Sequence, residues 1–211
     1  NMSIALPLAR GLHNGTYRKA SITKHGEQYR LPYVIHCLLV CRMLADLHLP
    51  VSKDEEDILL AAAVCHDLIE DYPFPDKGRE LMTEFKLDPR VYEIVKLVSK
   101  RKDFTEEEER AHFKAIEENK LALLVKLSDR SQNVEDLYNM KAWKIHEYVD
   151  ETNRYILPMC AYGMEAYPEL STALEILMDK LQCLTVAGVE LVDRYEARLQ
   201  FLRQELEDLK K

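Results

Sequence analysis

Turn-forming residues are scarce in this chain, which has only 6 glycines and 8 prolines among its 211 residues. An all-β protein needs many tight turns, so this scarcity favours long helices. Apolar residues recur at near-helical spacing from Pro32 to Leu47 and again from Pro168 to Leu209. We therefore predict an all-α fold in which residues 1–211 form a single domain. The segment 163–211 is expected to be a C-terminal helical extension, in which Pro168–Leu209 forms one long helix or two helices broken near Gly188.

Capping residues and breakers give the expected boundaries of the other elements. The first thirty residues should form short helical pieces broken by glycines, and a central helix should begin after Ser52 or Asp54 and run to about Asp71. Thr105, which is followed by four glutamates, is a predicted N-cap. Further helices are predicted at 78–85, 89–100, 105–118, 119–140 and 142–162.

Composition excludes several classes of protein. The net charge of −8 argues against a general nucleic-acid binder, which needs a basic face. The longest apolar run, Ile58–Cys65, is far shorter than the ~18 residues of a membrane span. The five cysteines are odd in number and mostly lie in apolar stretches, so they are interpreted as buried thiols. The first residues lack the basic and apolar regions of a secretory leader, and we expect a cytoplasmic protein.

The predicted central helix ends in four ionisable residues, His66, Asp67, Glu70 and Asp71. Three carboxylates at the negative end of a helix dipole are unfavourable, and burying them unpaired costs several kcal/mol each, as an order of magnitude. A bound cation would compensate for this arrangement. A solvated helix terminus with one capping histidine is an equally good interpretation of this segment alone.

Two further segments bring similar chemistry. Asp129 follows the apolar run 121–127, and Asn133 lies one turn later on the same face. His36 lies among apolar residues of the helix after Pro32, where a lone histidine is more often a satisfied core residue. Two imidazoles and two carboxylates form a mixed nitrogen and oxygen set that suits Mn²⁺, Fe²⁺ or Zn²⁺. The cysteine spacing does not indicate a structural zinc site.

These motifs resemble those of the HD-domain phosphohydrolases. The sequence is most similar to the hydrolase domain of the bifunctional stringent-response enzymes and to the stand-alone small alarmone hydrolases, which remove the 3′-diphosphate from (p)ppGpp. The resemblance covers about 17–160 and rests on HGEQYRLPYVIH at 25–36, HDLIED at 66–71 and KLSDRSQN at 126–133. Glu151, Thr152 and Pro158 fit a weaker later motif.

The resemblance implies a function and a role for each matching residue. The chain would be a Mn²⁺-dependent enzyme that hydrolyses the 3′-diphosphate of (p)ppGpp to GDP or GTP and pyrophosphate. Glu70 and Asp71 would orient the attacking water and transfer protons, and the metal ligands would be His36, His66, Asp67 and Asp129. The predicted substrate-binding residues are Arg30, Lys100, Asn133 and Tyr155. For Lys100, a solvated basic turn is the alternative.

The chain also departs from the family pattern. Cys37 replaces the proline that usually follows the first histidine, and the acids Glu135 and Asp136 lie where the family commonly has a basic residue and a threonine. Acids there would repel a polyphosphate, so a nucleotidase or an NADPH phosphatase is the nearest alternative. A non-catalytic nucleotide sensor is a third possibility. The C-terminal helix could mediate self-association.

Overall fold

The computed structural model describes the backbone at residues 1–24, 27–71, 80, 82–101, 103–137 and 140–208, and the side chains there except at 19–24, 27–28 and 71. Over these residues the chain is all-α apart from one antiparallel hairpin, β1 (Tyr17–Lys24) and β2 (Glu27–Pro32). The helices whose bounds are described begin with α1 (Met2–Leu12), α2 (Val34–Asp46), α3 (Lys53–Cys65), α4 (Leu68–Asp71) and α5 (Pro89–Val98). They are followed by α6 (Glu106–Glu117), α7 (Lys120–Glu135), α8 (Ala142–Glu151), α9 (Leu157–Ala166) and α10 (Ser171–Asp208).

Helix α3 lies at the centre of the molecule, as predicted. It contacts α1, α2, α5 and α7, and seven of its side chains between Ile58 and Cys65 are buried. Its start is fixed by Ser52, whose Oγ accepts from the backbone N–H of Glu55 at 3.2 Å. Glu55 in return accepts from the backbone N–H of Ser52 at 3.0 Å, which completes a capping box. The buried run needs no polar face because other helices surround it.

Helix α7 is the second buried helix and packs against α2, α3, α5 and α6. Asn119 caps it by accepting from the backbone N–H groups of Leu121 and Ala122 at 3.2 and 3.0 Å. All residues from Ala122 to Gln132 are buried, including the polar ones. The helix ends at Glu135, five residues before the predicted end at 140. Its polar residues from Ser128 to Gln132 lie within the molecule.

Two sequence predictions near the site were wrong. The first thirty residues do not consist only of short helical pieces, because the segment after α1 forms the β1–β2 hairpin. The central helix does not run through to Asp71; it stops at Cys65, and His66 and Asp67 form a turn before α4. The Ala63 carbonyl bonds to the ring Nδ1 of His66 at 2.7 Å, and this bond competes with the helical ladder at that point.

The C-terminal segment is a three-residue 3₁₀ turn, Pro168–Leu170, followed by one helix of 38 residues that continues through Gly188. A Cβ at Gly188 would lie 2.8 Å from Leu137 Cδ1, so glycine permits close packing there rather than a break. The 142–162 helix is also interrupted, by a π-helical turn at Thr152–Ile156 that joins α8 to α9. Of the predicted helix at 78–85, residues 80 and 82–84 are helical and residue 85 lies in a turn, whereas 78, 79 and 81 lie outside the described residues.

The cysteines are all free thiols. Cys37, Cys41, Cys65 and Cys160 are buried as expected, whereas Cys183 is exposed on α10. Over the residues described, none of the helices has the length and apolar character that crossing a membrane requires.

Candidate metal centre

His66 and Asp67 lie in the turn between α3 and α4, at the point where the buried helix ends. The Nδ1 of His66 is engaged by the Ala63 carbonyl, which sets the proton on that nitrogen and directs Nε2 into the site. His66 Nε2 lies 3.0 Å from Asp67 Oδ2 and 3.4 Å from Asp129 Oδ1. One ring nitrogen therefore faces two carboxylates inside the protein.

His36 from α2 and Asp129 from α7 complete the cluster. His36 Nε2 lies 3.1 Å from Asp129 Oδ1 and 3.7 Å from Asp67 Oδ2. Ligand atoms of His36, His66 and Asp129 all lie within 4.8 Å of one another, and all three residues are buried. The structure thus brings together the four residues that the sequence nominated as metal ligands, from α2, the α3–α4 turn and α7.

The electrostatics of the cluster favour a positive charge at its centre. Burial disfavours a charged imidazole at His66, but the Asp67 and Asp129 carboxylates outweigh it and raise the pKa of His66. Burial opposes ionisation of the two acids as well, yet His66 lowers the pKa of Asp67 to about 2 and that of Asp129 well below its ordinary range. A divalent cation would neutralise the Asp67 and Asp129 carboxylates more fully than one protonated imidazole does. The donor set therefore fits a metal ion.

Three residues that the sequence did not nominate also contact the cluster. The hydroxyl of Tyr33 donates to Asp67 Oδ2 at 2.8 Å, and the buried His13 ring lies 4.9 Å from the Tyr33 ring. The Cys37 thiol falls within the same 4.8 Å range as donor atoms of His66 and Asp67. Tyr33 belongs to the PYVIH motif and could have been identified there, whereas His13, the residue after α1, carries no sequence signal.

Glu70 lies on α4, one turn after Asp67. Its Oε2 accepts from the backbone N–H of Lys100 at 3.3 Å. Burial raises the pKa of Glu70, Lys126 lowers it to a smaller extent, and the net shift is upward. Asp71 is the last residue of α4, and its side chain lies outside the described residues.

Lys100 does not present a free charge to the site. Its Nζ pairs with Glu109 and, at 3.1 Å, with Glu151. Glu151 also pairs with the buried Arg130, whose guanidinium lies over the Tyr148 ring at 4.6 Å. Burial opposes ionisation of Glu151, but Arg130 and Lys100 outweigh it and lower its pKa. Lys100 is thus part of a partly buried ion network beside Glu70, and substrate binding by Lys100 stays a prediction.

Asn133 connects the cluster to the β-hairpin. Its Nδ2 donates to Asp129 Oδ1 at 2.7 Å, and its Oδ1 accepts from Arg18 Nη1 at 3.3 Å. Arg18 also pairs with Asp136 at 2.5 Å. Glu135 pairs with Lys180 of α10. Both acids that depart from the family pattern are therefore compensated by basic partners, and Arg18 is a further site residue that the sequence did not nominate.

The other two predicted substrate-binding residues belong to the π-helical turn and to β2. Tyr155 belongs to the π-helical turn, and its ring stacks on Phe113 with centroids 4.5 Å apart. Arg30 is exposed on β2 opposite Ser21, and it is not among the described side chains that contact the cluster.

Comparison with known proteins supports the interpretation of this cluster. The family model described as "HD domain" matches residues 33–134, which begin beside His36 and end just after Asn133. Residues 33–134 of the chain are an HD domain. This HD domain includes all four clustered residues, and its helices α2, α3 and α7 supply them or lead into them.

The curated relatives are longer enzymes. The guanosine-3′,5′-bis(diphosphate) 3′-pyrophosphohydrolase of Haemophilus influenzae is 31% identical over 160 residues, covering 72% of this chain and 21% of that protein. The enzyme of the same name from Aquifex aeolicus is 34% identical over 144 residues, covering 64% and 19%. The GTP pyrophosphokinase rsh of Brucella ovis is 27% identical over 202 residues, covering 90% and 26%. The HD-domain chain thus spans about a fifth to a quarter of these relatives.

Proposed function

We propose that this chain is a Mn²⁺-dependent phosphohydrolase that removes the 3′-diphosphate of (p)ppGpp and releases pyrophosphate. The proposal rests on the cluster of His36, His66, Asp67 and Asp129. In this cluster the carboxylates of Asp67 and Asp129 both face the Nε2 atom of His66. The names of the two pyrophosphohydrolase relatives support the choice of substrate.

The four clustered residues would hold the cation, and Tyr33 would orient Asp67 through its hydroxyl. A divalent cation in such a site lowers the pKa of a coordinated water and polarises a phosphoryl oxygen. Imidazole and carboxylate donors with open positions suit Mn²⁺. A mixed donor set of this kind also leaves room for the substrate.

Proton transfer is assigned to the acids of α4. Burial raises the pKa of Glu70, so its carboxyl can hold a proton closer to neutral pH than an ordinary glutamate does. Glu70 would take a proton from the attacking water as the oxygen approaches the phosphorus attached to the 3′ oxygen. Asp71, the next residue, is proposed to share this role.

The substrate would be oriented by residues around the C-terminal end of α7. Asn133 is proposed to position the sugar or base, since its amide already bridges Asp129 and Arg18. We propose that the diphosphates and the nucleoside are bound by Arg18 and by the predicted contact residues Arg30, Lys100 and Tyr155. The acidic net charge supports a small nucleotide substrate rather than nucleic acid, and the four buried free thiols support a cytoplasmic setting.

The test is hydrolysis by the purified chain. With Mn²⁺, ppGpp should yield GDP and pyrophosphate in equal amounts, and chelation should abolish the reaction. Asp67→Asn should abolish it as well, whereas Glu135→Gln, which removes an acid paired with Lys180 outside the cluster, should retain it. Turnover of a 5′-nucleotide or NADPH in place of ppGpp would reassign the substrate. Binding of ppGpp without turnover under any divalent metal would contradict the enzyme assignment.

A further inference from the structure

The long helix α10 carries one apolar seam that begins against the domain and continues beyond it. Counting in heptads, the seam positions from Leu174 to Val192 are buried or partly buried against the core: Leu174, Met178, Leu181, Thr185, Gly188 and Val192. The next four positions continue the same spacing with Tyr195, Leu199, Leu202 and Leu206. These four side chains are 41–57% exposed.

The exposed part of the helix is long enough to be an interface. Every described side chain from Asp193 to Asp208 is exposed over a helical segment of 16 residues, or about 24 Å, although Glu196 Oε1 lies 4.0 Å from Nε2 of His146 in the domain. An isolated helix of this length is marginal in water, and a continuous stripe of large apolar side chains is seldom left uncovered. A second helix packed on the seam would stabilise the segment and bury the stripe.

The charges beside the seam identify the partner. If two copies of the segment run antiparallel with Leu199 of one beside Leu202 of the other, Glu196 lies beside Arg203 of the second copy. In the same register Arg198 lies beside Glu205 of the second copy. By two-fold symmetry each contact occurs twice, so all four flanking pairs are attractive. A parallel, in-register pair would instead place Arg198 beside Arg203 of the second copy, twice.

The antiparallel register also fits the ends of the exposed segment. It places Asp193 of one copy beside Asp208 of the other, so the two exposed segments overlap over their full described length. Each domain then lies at an opposite end of the helix pair. We propose that residues 193–208 form an antiparallel two-helix interface with a second copy of this chain, continuous with the seam that holds α10 to its own domain.

The experiment is sedimentation equilibrium of the full chain over a concentration series. The wild type should form a reversible dimer. Leu199→Gln should weaken dimerisation at least about tenfold, because each dimer loses two seam leucines. Phe201→Gln is the matched control, since Phe201 is 52% exposed against 53% for Leu199 but lies off the seam. It should leave the dimer constant unchanged. Melting temperatures of both variants at dilute, monomeric concentration should equal that of the wild type.

Charge exchange distinguishes the orientation. Arg198→Glu should weaken the antiparallel dimer about tenfold by making two attractive pairs repulsive, and the added Glu205→Arg should restore it. In a parallel dimer Arg198→Glu would strengthen association, and that result would overturn the antiparallel geometry. A monomer at every concentration would overturn self-association, and equal effects of Leu199→Gln and Phe201→Gln would show that the dimer does not form through the seam. These readouts do not depend on enzymatic activity.

Discussion

Metal binding should stabilise this fold measurably, and Asp129 offers the sharpest test of the site. Its Oδ1 lies 3.1 Å from His36 Nε2 and 3.4 Å from His66 Nε2, so it connects the histidine of α2 with the histidine of the α3–α4 turn. Asp129→Asn keeps the shape of the side chain and an oxygen that can accept from Asn133. It removes the charge that a cation would neutralise.

The size of the effect follows from mass action. A ligand present at a hundred times its Kd, and bound only by the folded state, stabilises that state by about 2.7 kcal/mol. For a chain of 211 residues each kcal/mol corresponds to about 2–4 °C in melting temperature. Saturating Mn²⁺ should therefore raise the Tm of the metal-free wild type by about 5–10 °C and that of Asp129→Asn by almost nothing.

The assay is differential scanning calorimetry of chelator-treated protein with and without Mn²⁺. Asp136→Asn is the control, because Asp136 lies two turns after Asp129 and pairs with Arg18 rather than with the histidines. It should keep the full shift. An equal Mn²⁺ shift in wild type and Asp129→Asn would show that the ion binds elsewhere, and the assignment of the cluster as the metal centre would then be wrong.

Three further predictions concern catalysis, pH and packing. Glu70→Gln and Asp71→Asn should each lower turnover of ppGpp by about 10²–10⁴-fold while keeping the Mn²⁺ shift in Tm; near-full activity in both would remove their catalytic role. Burial, then Lys126 and Lys100, lower the pKa of His112 to about 4, so the folded state resists protonation, and stability should fall by about 2 kcal/mol as pH drops from 6.5 to 4. His112→Gln should flatten that part of the denaturant-midpoint profile, and an unchanged slope would refute the shift. Gly163→Ala would place Cβ 2.6 Å from Leu123 Cδ2 and 2.9 Å from Leu174 Cδ1, both fully buried, and should lower the unfolding free energy by about 1–2 kcal/mol. A more stable variant would show that these two leucine side chains can shift to make room for the methyl group.

The sequence predicts the helical class and the clustered residues well, because each depends on local pattern. The run Ile58–Cys65 is apolar on all sides, and the structure confirms that it is the buried central helix. Ser52 and Thr105 are confirmed as caps, since their spacing to Glu55 and Glu108 is itself the capping signal. The assignment of all residues to one domain, and the site roles, stay predictions.

The features that the sequence missed depend on tertiary contacts. The hairpin was missed because the only sequence signal there was its glycines, whereas the strands are set by pairing across β1 and β2. Arg18 gains its place only when the hairpin reaches the end of α7, 115 residues away in the chain. Gly188 suggested a break in α10, but its role depends on Leu137 of another segment. No periodicity within α10 contains that information.

The bond between the Ala63 carbonyl and His66 Nδ1 also limits how a cation can exchange at this site. Because one ring nitrogen is tied to the backbone, the imidazole cannot rotate to offer the other, and only one coordination isomer is available. The orientation of the His66 imidazole is set when α3 folds. The loss of its rotational freedom therefore opposes folding and does not weaken the binding of a metal ion. Metal exchange should therefore proceed without reorientation of His66, and its rate should be governed by dissociation of the ion and entry of water.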